Sequence, residues 1–100
     1  MSVISTVSPD QKRLDIHVVG RFDFSLHKEF REAYRHHPGL GEYRVNLGGA
    51  EYIDSSALGM LLLLREHAEL SHGRVVLAGP QPSVQRVLTI ANFDKLFQIE

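Results

Sequence analysis

The chain has 100 residues, 43% of them hydrophobic, and its 11 basic and 12 acidic residues give a formal net charge of −1. This length predicts one domain spanning residues 1–100, long enough to bury a core. The near-neutral charge argues against direct binding of nucleic acid or of an anionic membrane, and the absence of cysteine excludes disulfides, thiolate zinc sites and a cysteine nucleophile. We expect no signal peptide, because Met1–Val7 lacks a basic segment followed by a long apolar one. We also expect no membrane insertion, because the longest apolar run, Met60–Leu64, is far below the roughly 20 residues that span a bilayer.

The first third of the chain predicts a hairpin followed by a helix. Val3–Val7 is typical of a short strand, and alternating apolar residues from Leu14 to Val18 predict a second strand with one buried face. Ser25 is a plausible cap for a helix that ends before Pro38. The apolar stripe of this helix consists of Leu26, Phe30, Ala33 and Tyr34.

The middle of the chain predicts a strand and then the most buried helix. Tyr43–Leu47 is short and rich in strand-forming residues. Ala57–Leu70 has a helical pattern with a broad apolar face. We expect the run Leu61–Leu64 to lie in the core rather than in a partner-binding groove.

The last third predicts a strand at Arg74–Ala78 and a helix that opens with Pro82 in its first turn, and Leu96–Ile99 forms either a final short strand or a frayed tail. Strands separated by helices pair in parallel, whereas the opening hairpin is antiparallel. The order therefore predicts an α/β fold with a mixed four- to five-stranded sheet and helices packed mainly on one face.

Three polar residues, Asp54, Ser55 and Ser56, crowd the start of the middle helix, where one cap is sufficient. Capping alone could explain them. A hydroxyl at this place also lies at the positive end of the helix dipole, which would tolerate a phosphate with a charge of about −1.5 to −2. Such a modification would change the outer surface more than the fold, as a switch acting on a partner requires.

Three segments carry a family resemblance that spans roughly the whole chain. Asp54-Ser55-Ser56-Ala57-Leu58 resembles the signature loop of STAS domains, specifically of bacterial anti-sigma factor antagonists, with Ala57 where the family usually has glycine. Gly20-Arg21-Phe22-Asp23 is similar to the family motif that follows its second long strand. Asn92-Phe93-Asp94-Lys95-Leu96-Phe97 is similar to the segment after its third helix.

The resemblance implies a cytoplasmic, non-enzymatic protein that works by partner switching and needs no metal or other cofactor. Its unphosphorylated form would bind an anti-sigma factor, often itself a serine protein kinase, and thereby free a sigma factor. Phosphorylation at Ser56, the second hydroxyl of the motif, would block binding, and a PP2C-type phosphatase would restore it. The implied partner-binding residues are Asp23, Asp54, Ser55, Ser56 and Ala57. Phe22 and Phe24 flank Asp23 and are either ordinary core residues or, if exposed, further anchors of the partner-binding surface. The oligomeric state stays open.

Two other functions remain to be weighed against partner switching. STAS domains also serve as small subunits of ABC-type lipid transporters, in which the serine is not phosphorylated. A hydrolase built on Ser56 would need a nearby histidine, but His67 lies about three turns further along the same helix. The six histidines show neither a His-x-x-x-His pair nor an HExxH motif, so the sequence offers no metal-ligand spacing.

Overall fold

The computed structural model describes residues 2–100, and its elements follow the predicted order. The strands are β1 (Ser2–Val7), β2 (Arg13–Phe22), β3 (Glu42–Ile53), β4 (Arg74–Ala78) and β5 (Gln98–Ile99). The α-helices are α1 (His27–Arg35), α2 (Ser55–Glu69) and α3 (Pro82–Ile90). Short 3₁₀ helices lie at Phe24–Leu26 and Phe93–Lys95.

The five strands form one sheet in the order β1-β2-β3-β4-β5, and this confirms the predicted mixed sheet. The pair β1–β2 is antiparallel, and the other three pairs are parallel. From β2 to β5, each new strand of the chain is added on the same side of the strand before it. Because crossovers between parallel strands are right-handed, the three helices lie on the same face of the sheet.

The core lies between the sheet and this helical layer. Leu14, Ile16 and Val18 alternate along β2 and are 1% exposed or less, and Leu61 and Leu64 of α2 are fully buried. The opposite face of the sheet carries ion pairs. Arg13–Asp15 and Arg44–Glu42 each lie within one strand, Arg74–Glu42 joins the neighbouring strands β4 and β3, and Arg44 also pairs with Glu100, which follows β5.

The strand β3 is more than twice as long as the predicted Tyr43–Leu47. Gly48 and Gly49 directly follow the predicted strand, and glycine in a strand commonly marks its end or a bulge. In the structure β3 continues through them, with register shifts against β2. A Cβ on Gly49 would lie only 3.2 Å from Val19 Cγ2 and 3.3 Å from the carbonyl oxygen of Val18, so the close approach of the two strands leaves little room for a side chain there.

The helix α2 begins at Ser55, two residues before the predicted start, and ends at Glu69, one residue before the predicted end. The starting point matters for function, because it places the polar residues Ser55 and Ser56 inside the first turn. Among residues 2–100, no helix is long and apolar enough to cross a membrane.

Candidate functional site

Two short turns lie side by side at the carboxyl edge of the sheet. Asp23 directly follows β2 and Asp54 directly follows β3, and these parallel neighbours pair Phe22 with Ile53 at their ends. The backbone N–H of Asp54 donates to the carbonyl of Phe22 over 3.4 Å. We call residues 23–25 the Asp23 turn and residues 54–56 the Asp54 turn. The structure therefore brings together two motifs that are about 30 residues apart in the sequence.

In the Asp54 turn the aspartate alone caps the helix. Asp54 has an extended backbone, and its Oδ1 accepts from the backbone N–H of Ala57 over 3.0 Å. Ser55 and Ser56 are the first two residues of α2. Among residues 2–100, neither serine hydroxyl makes a hydrogen bond to another protein group. The cap requirement is thus met, and both hydroxyls are available for other chemistry.

The two serines face different surroundings. Ser55 is exposed, whereas Ser56 is half-buried. At about 100° per residue, Ser56 lies on nearly the same line of the helix as His67, eleven positions later. The His67 ring centroid is 4.9 Å from that of Tyr34 in α1. Ser56 therefore lies on the side of α2 that faces α1, close to where the Asp23 turn leads into α1.

In the Asp23 turn the serine hydroxyl is occupied. The Oδ1 atom of Asp23 accepts from both the backbone N–H and the hydroxyl of Ser25, and its Oδ2 lies 3.5 Å from the Arg21 Nε. The hydroxyl of Ser25, its backbone N–H and the Arg21 guanidinium hold the pKa of the Asp23 carboxyl below its usual range. The prediction that Ser25 caps the following helix is wrong, because Asp23 caps the 3₁₀ helix and α1 then continues from it without a side-chain cap.

The two phenylalanines beside Asp23 have opposite environments. Phe22 is fully buried against Phe30, with ring centroids 5.1 Å apart. Phe24 is 67% exposed and stacks on the ring of His27. Ala57 is also fully buried. Phe22 and Ala57 therefore support the two turns from inside, and we no longer expect their side chains to contact a partner.

The outer surface of α2 includes residues that the sequence interpretation assigned to the core. Leu62 is 38% exposed and Leu63 is 49% exposed, so the prediction for the run Leu61–Leu64 is correct only at its two ends. The exposed line of the helix passes through Ser55, Gly59 and Leu62. This line could have been identified from the sequence, because residues 55, 59 and 62 are four and three positions apart, which is the spacing of neighbours on one face of an α-helix.

The site has no arrangement typical of a hydrolase or a metal centre. His67 is about 16 Å along the helix axis from Ser56, and its Nε2 lies 3.2 Å from the carbonyl oxygen of His37. Among residues 2–100, no group of three His, Asp or Glu side chains is placed to hold a metal ion. The surface is instead formed by two aspartate turns, an exposed aromatic ring and a helix with exposed leucines.

Comparison with known proteins agrees with this architecture. The family model described as Mlab, STAS domain, matches residues 5–98. A STAS-domain containing protein of Pseudomonas aeruginosa (strain UCBPP-PA14) is 46% identical over 100 residues, which cover 99% of each chain.

Solved structures share the fold at low sequence identity. A Thermotoga maritima protein assigned as an anti-sigma factor antagonist superposes with a TM-score of 0.84 at 21% identity, over 97% of this chain and 84% of its own. The unphosphorylated anti-sigma factor antagonist SpoIIAA superposes with a TM-score of 0.76 at 17% identity, over 99% of this chain and 87% of its own. A variant of Moorella thermoacetica RsbS superposes with a TM-score of 0.78 at 18% identity, over 98% of this chain and 85% of its own. These likenesses confirm the predicted fold.

Proposed function

Since the chain belongs to the STAS domain family, we propose that it is an anti-sigma factor antagonist switched by phosphorylation of Ser56. In this proposal the unmodified protein binds an anti-sigma factor or serine protein kinase in the cytoplasm and so releases a sigma factor. A PP2C-type phosphatase returns the modified protein to its binding form. The anti-sigma factor antagonists among the structures of the same fold support this role.

The observation that carries the proposal is the state of the Ser56 hydroxyl. It lies in the first turn of a 15-residue helix whose cap position is already filled by Asp54. A phosphate on Ser56 would face the positive end of the α2 dipole and the free N–H groups of its first turn. The helix can therefore accept the added charge, and the fold is expected to survive modification.

The effect on a partner is expected to be much larger. One phosphate adds a charge of about −1.5 to −2, which would take the net charge from −1 to about −2.5 to −3. This charge would lie beside the carboxylate of Asp54 and close to the Asp23 turn. A partner seated on the unmodified surface would have to desolvate the phosphate, and a negative group on the partner would be repelled. We expect modification to weaken binding by about 100-fold or more.

A pull-down with three baits tests the proposal, with the retained proteins identified by mass spectrometry. The wild type and Ser56→Ala should retain the same anti-sigma factor or serine kinase, because alanine leaves the surface neutral. Ser56→Asp should lose it. Equal retention by Ser56→Ala and Ser56→Asp would contradict the switch. Circular dichroism of each bait checks that the three proteins are equally folded.

A second function follows from the description of the matched family model, which names Mlab rather than an anti-sigma factor antagonist. In a subunit of an ABC-type lipid transporter, Ser56 would not be modified and the partner would be a membrane ATPase. The same pull-down separates the two functions. A membrane ATPase retained equally by all three baits would favour the transporter subunit.

A further inference from the structure

The two edge strands of the sheet, β1 and β5, differ in how well they are protected from pairing with another chain. The strand β5 has only two residues, and the backbone of Glu100 directly after it is bonded to Leu77 and Gly79 while its carboxylate pairs with Arg44. The strand β1 has six residues, contains no charge and no proline, and follows β2 in one continuous register. Short length, charge, proline and bulges are the features that keep sheet edges apart, so β1 lacks the protection that β5 has.

The outward-facing backbone groups of β1 can be assigned from the hairpin that joins it to β2. The backbone N–H of Ser8 donates to the carbonyl of Arg13 over 2.9 Å, at the closed end of the antiparallel ladder. Hydrogen-bonded pairs in such a ladder occur at every second residue. Counting back from Ser8, the even-numbered residues of β1 direct their N–H and C=O groups towards β2. Val3, Ser5 and Val7 therefore direct theirs to the open edge, where no other strand of residues 2–100 lies.

The side chains of β1 leave this edge accessible on both faces of the sheet. Val3 and Val7 pack against the core on the helical side, but Ser5 between them is exposed. The helical layer therefore does not cover the middle of the edge. On the other face Ile4 is 58% exposed. An open strand edge that also presents an exposed β-branched side chain is favourable for pairing with a further strand.

We propose that β1 pairs antiparallel with β1 of a second copy of this chain, about a two-fold axis at Ser5. The sequence of β1 matches itself in this register, because Val3 lies opposite Val7, Ile4 opposite Thr6, and Ser5 opposite its own copy. Pairs of β-branched side chains stabilise a sheet, and no charge opposes another along the seam. The outward-facing residues of the two strands then exchange about six backbone hydrogen bonds. This internal symmetry favours a second copy over an unrelated strand, which would not require it.

The size of the seam and its symmetry define the dimer further. A strand of six residues is about 20 Å long, so we expect the contact to bury less than the roughly 1,200 Å² of a stable interface. The dimer is therefore weak, with a Kd of about 10 μM to 1 mM. The axis reverses the direction of β2 and β3 in the second copy, so the two Asp54 turns lie at opposite ends of the dimer. Dimerisation and binding at the Asp54 turn are thus expected to be independent.

Sedimentation equilibrium of the full chain between about 10 μM and 1 mM tests the dimer. The wild type should change from monomer to dimer over this range. Ser5→Lys places two like charges at the axis and should weaken dimerisation at least about tenfold, while circular dichroism stays unchanged because Ser5 is exposed. Ser83→Lys, the same substitution at an exposed position of α3, is the matched control and should dimerise like the wild type. An equimolar mixture of Ser5→Lys and Ser5→Glu should restore the dimer, since opposite charges then meet at the axis.

Amide hydrogen exchange checks the register residue by residue. The N–H groups of Val3, Ser5 and Val7 should gain protection as the concentration rises, whereas those of Ile4 and Thr6 should be protected at every concentration. A wild type that stays monomeric at about 1 mM would overturn the proposal, as would a dimer that Ser5→Lys leaves unchanged or that the mixed variants do not restore. A monomeric wild type that retains from cells a protein lost by Ser5→Lys would assign the edge to that protein and exclude the second copy.

Discussion

The Asp23 turn and the Asp54 turn have the same short sequence pattern, aspartate–any residue–serine, but different hydrogen bonds. Each follows one of two neighbouring parallel strands, and each aspartate caps the helical turn that comes next. In the Asp23 turn, the carboxylate binds the hydroxyl and N–H of Ser25, two positions on. In the Asp54 turn, it binds the N–H of Ala57, three positions on.

The difference follows from the helix that each turn starts. A regular α-helix of 15 residues follows Asp54, so its carboxylate is aligned with the third N–H of that helix. Only a three-residue 3₁₀ helix follows Asp23, and the carboxylate folds back onto the nearest serine. The same pattern therefore leaves the Ser56 hydroxyl available and occupies the Ser25 hydroxyl. Three predictions test this contrast.

The largest expected difference is in modification itself. Ser56→Ala should abolish incorporation of phosphate, whereas Ser25→Ala should leave it at the wild-type level, because the Ser25 hydroxyl already donates to Asp23. Intact-protein mass spectrometry of protein isolated from cells measures this as a form heavier by about 80 Da. Ser55→Ala is the control for the neighbouring hydroxyl and should keep the modification. A phosphate that persists in Ser56→Ala would contradict the assignment.

The next difference is in stability. Asp54→Ala removes the only side-chain cap of α2 and should cost about 1 kcal/mol, which corresponds to a fall in Tm of about 4–8 °C. Asp54→Asn should keep most of the stability, because its side-chain oxygen can still accept from the Ala57 N–H. Asp23→Ala should lower the free energy of unfolding by less than Asp54→Ala does, since Asp23 caps only the 3₁₀ helix. Thermal unfolding of the three variants at one pH tests this order, and an equal loss for both alanine variants would refute it.

The smallest expected difference is in the pH dependence of stability. The folded pKa of Asp23 is lowered by its bonds to Ser25 and its pairing with Arg21. A carboxyl whose pKa is lower in the folded state stabilises the fold above its unfolded pKa, near 4, and this contribution is lost as the pH falls through the folded value. The stability difference between wild type and Asp23→Asn should therefore be largest near pH 7 and should shrink towards pH 3.

Urea unfolding at pH 7 and at pH 3 measures that difference. Its change between the two pH values should be smaller in a Ser25→Ala background, because the hydroxyl that favours the ionised carboxylate is gone. A difference between wild type and Asp23→Asn that does not change with pH would show that the Asp23 turn carries no such linkage.

Much of the fold could be predicted from periodicity and turn residues. The alternation in Leu14–Val18 and the helical stripe around Phe30 depend on neighbours within a few residues, and both were confirmed. The length of β3 could not be predicted, because Gly48 and Gly49 interrupt the run of strand-forming residues directly after Leu47. Pairing with β2 on one side carries the strand on to Ile53. The cap of the first helical segment was assigned to the wrong residue, since Asp23 and Ser25 are both good cap formers.

In the candidate site, too, some features could be predicted from the local sequence and others could not. The motif at Asp54–Ser56 is local in sequence, so its place at the start of a helix could be predicted from residue type alone. The burial of Phe22 depends on its packing against Phe30, and the exposure of Leu62 and Leu63 depends on how much of α2 the neighbouring elements leave uncovered. These are contacts between distant segments, and no local pattern fixes them fully.

The sequence by itself therefore determined the order of strands and helices, the family, and the serine pair at the start of α2. Helix caps, strand alternation and short motifs act over a few residues, and their physics is contained in those residues. Only the tertiary structure decided that Asp54 meets the cap requirement alone, that the Asp23 turn lies beside it, and that Leu62 and Leu63 stay exposed on the outer surface of α2. Each of these depends on which surfaces the packing of separate elements leaves uncovered.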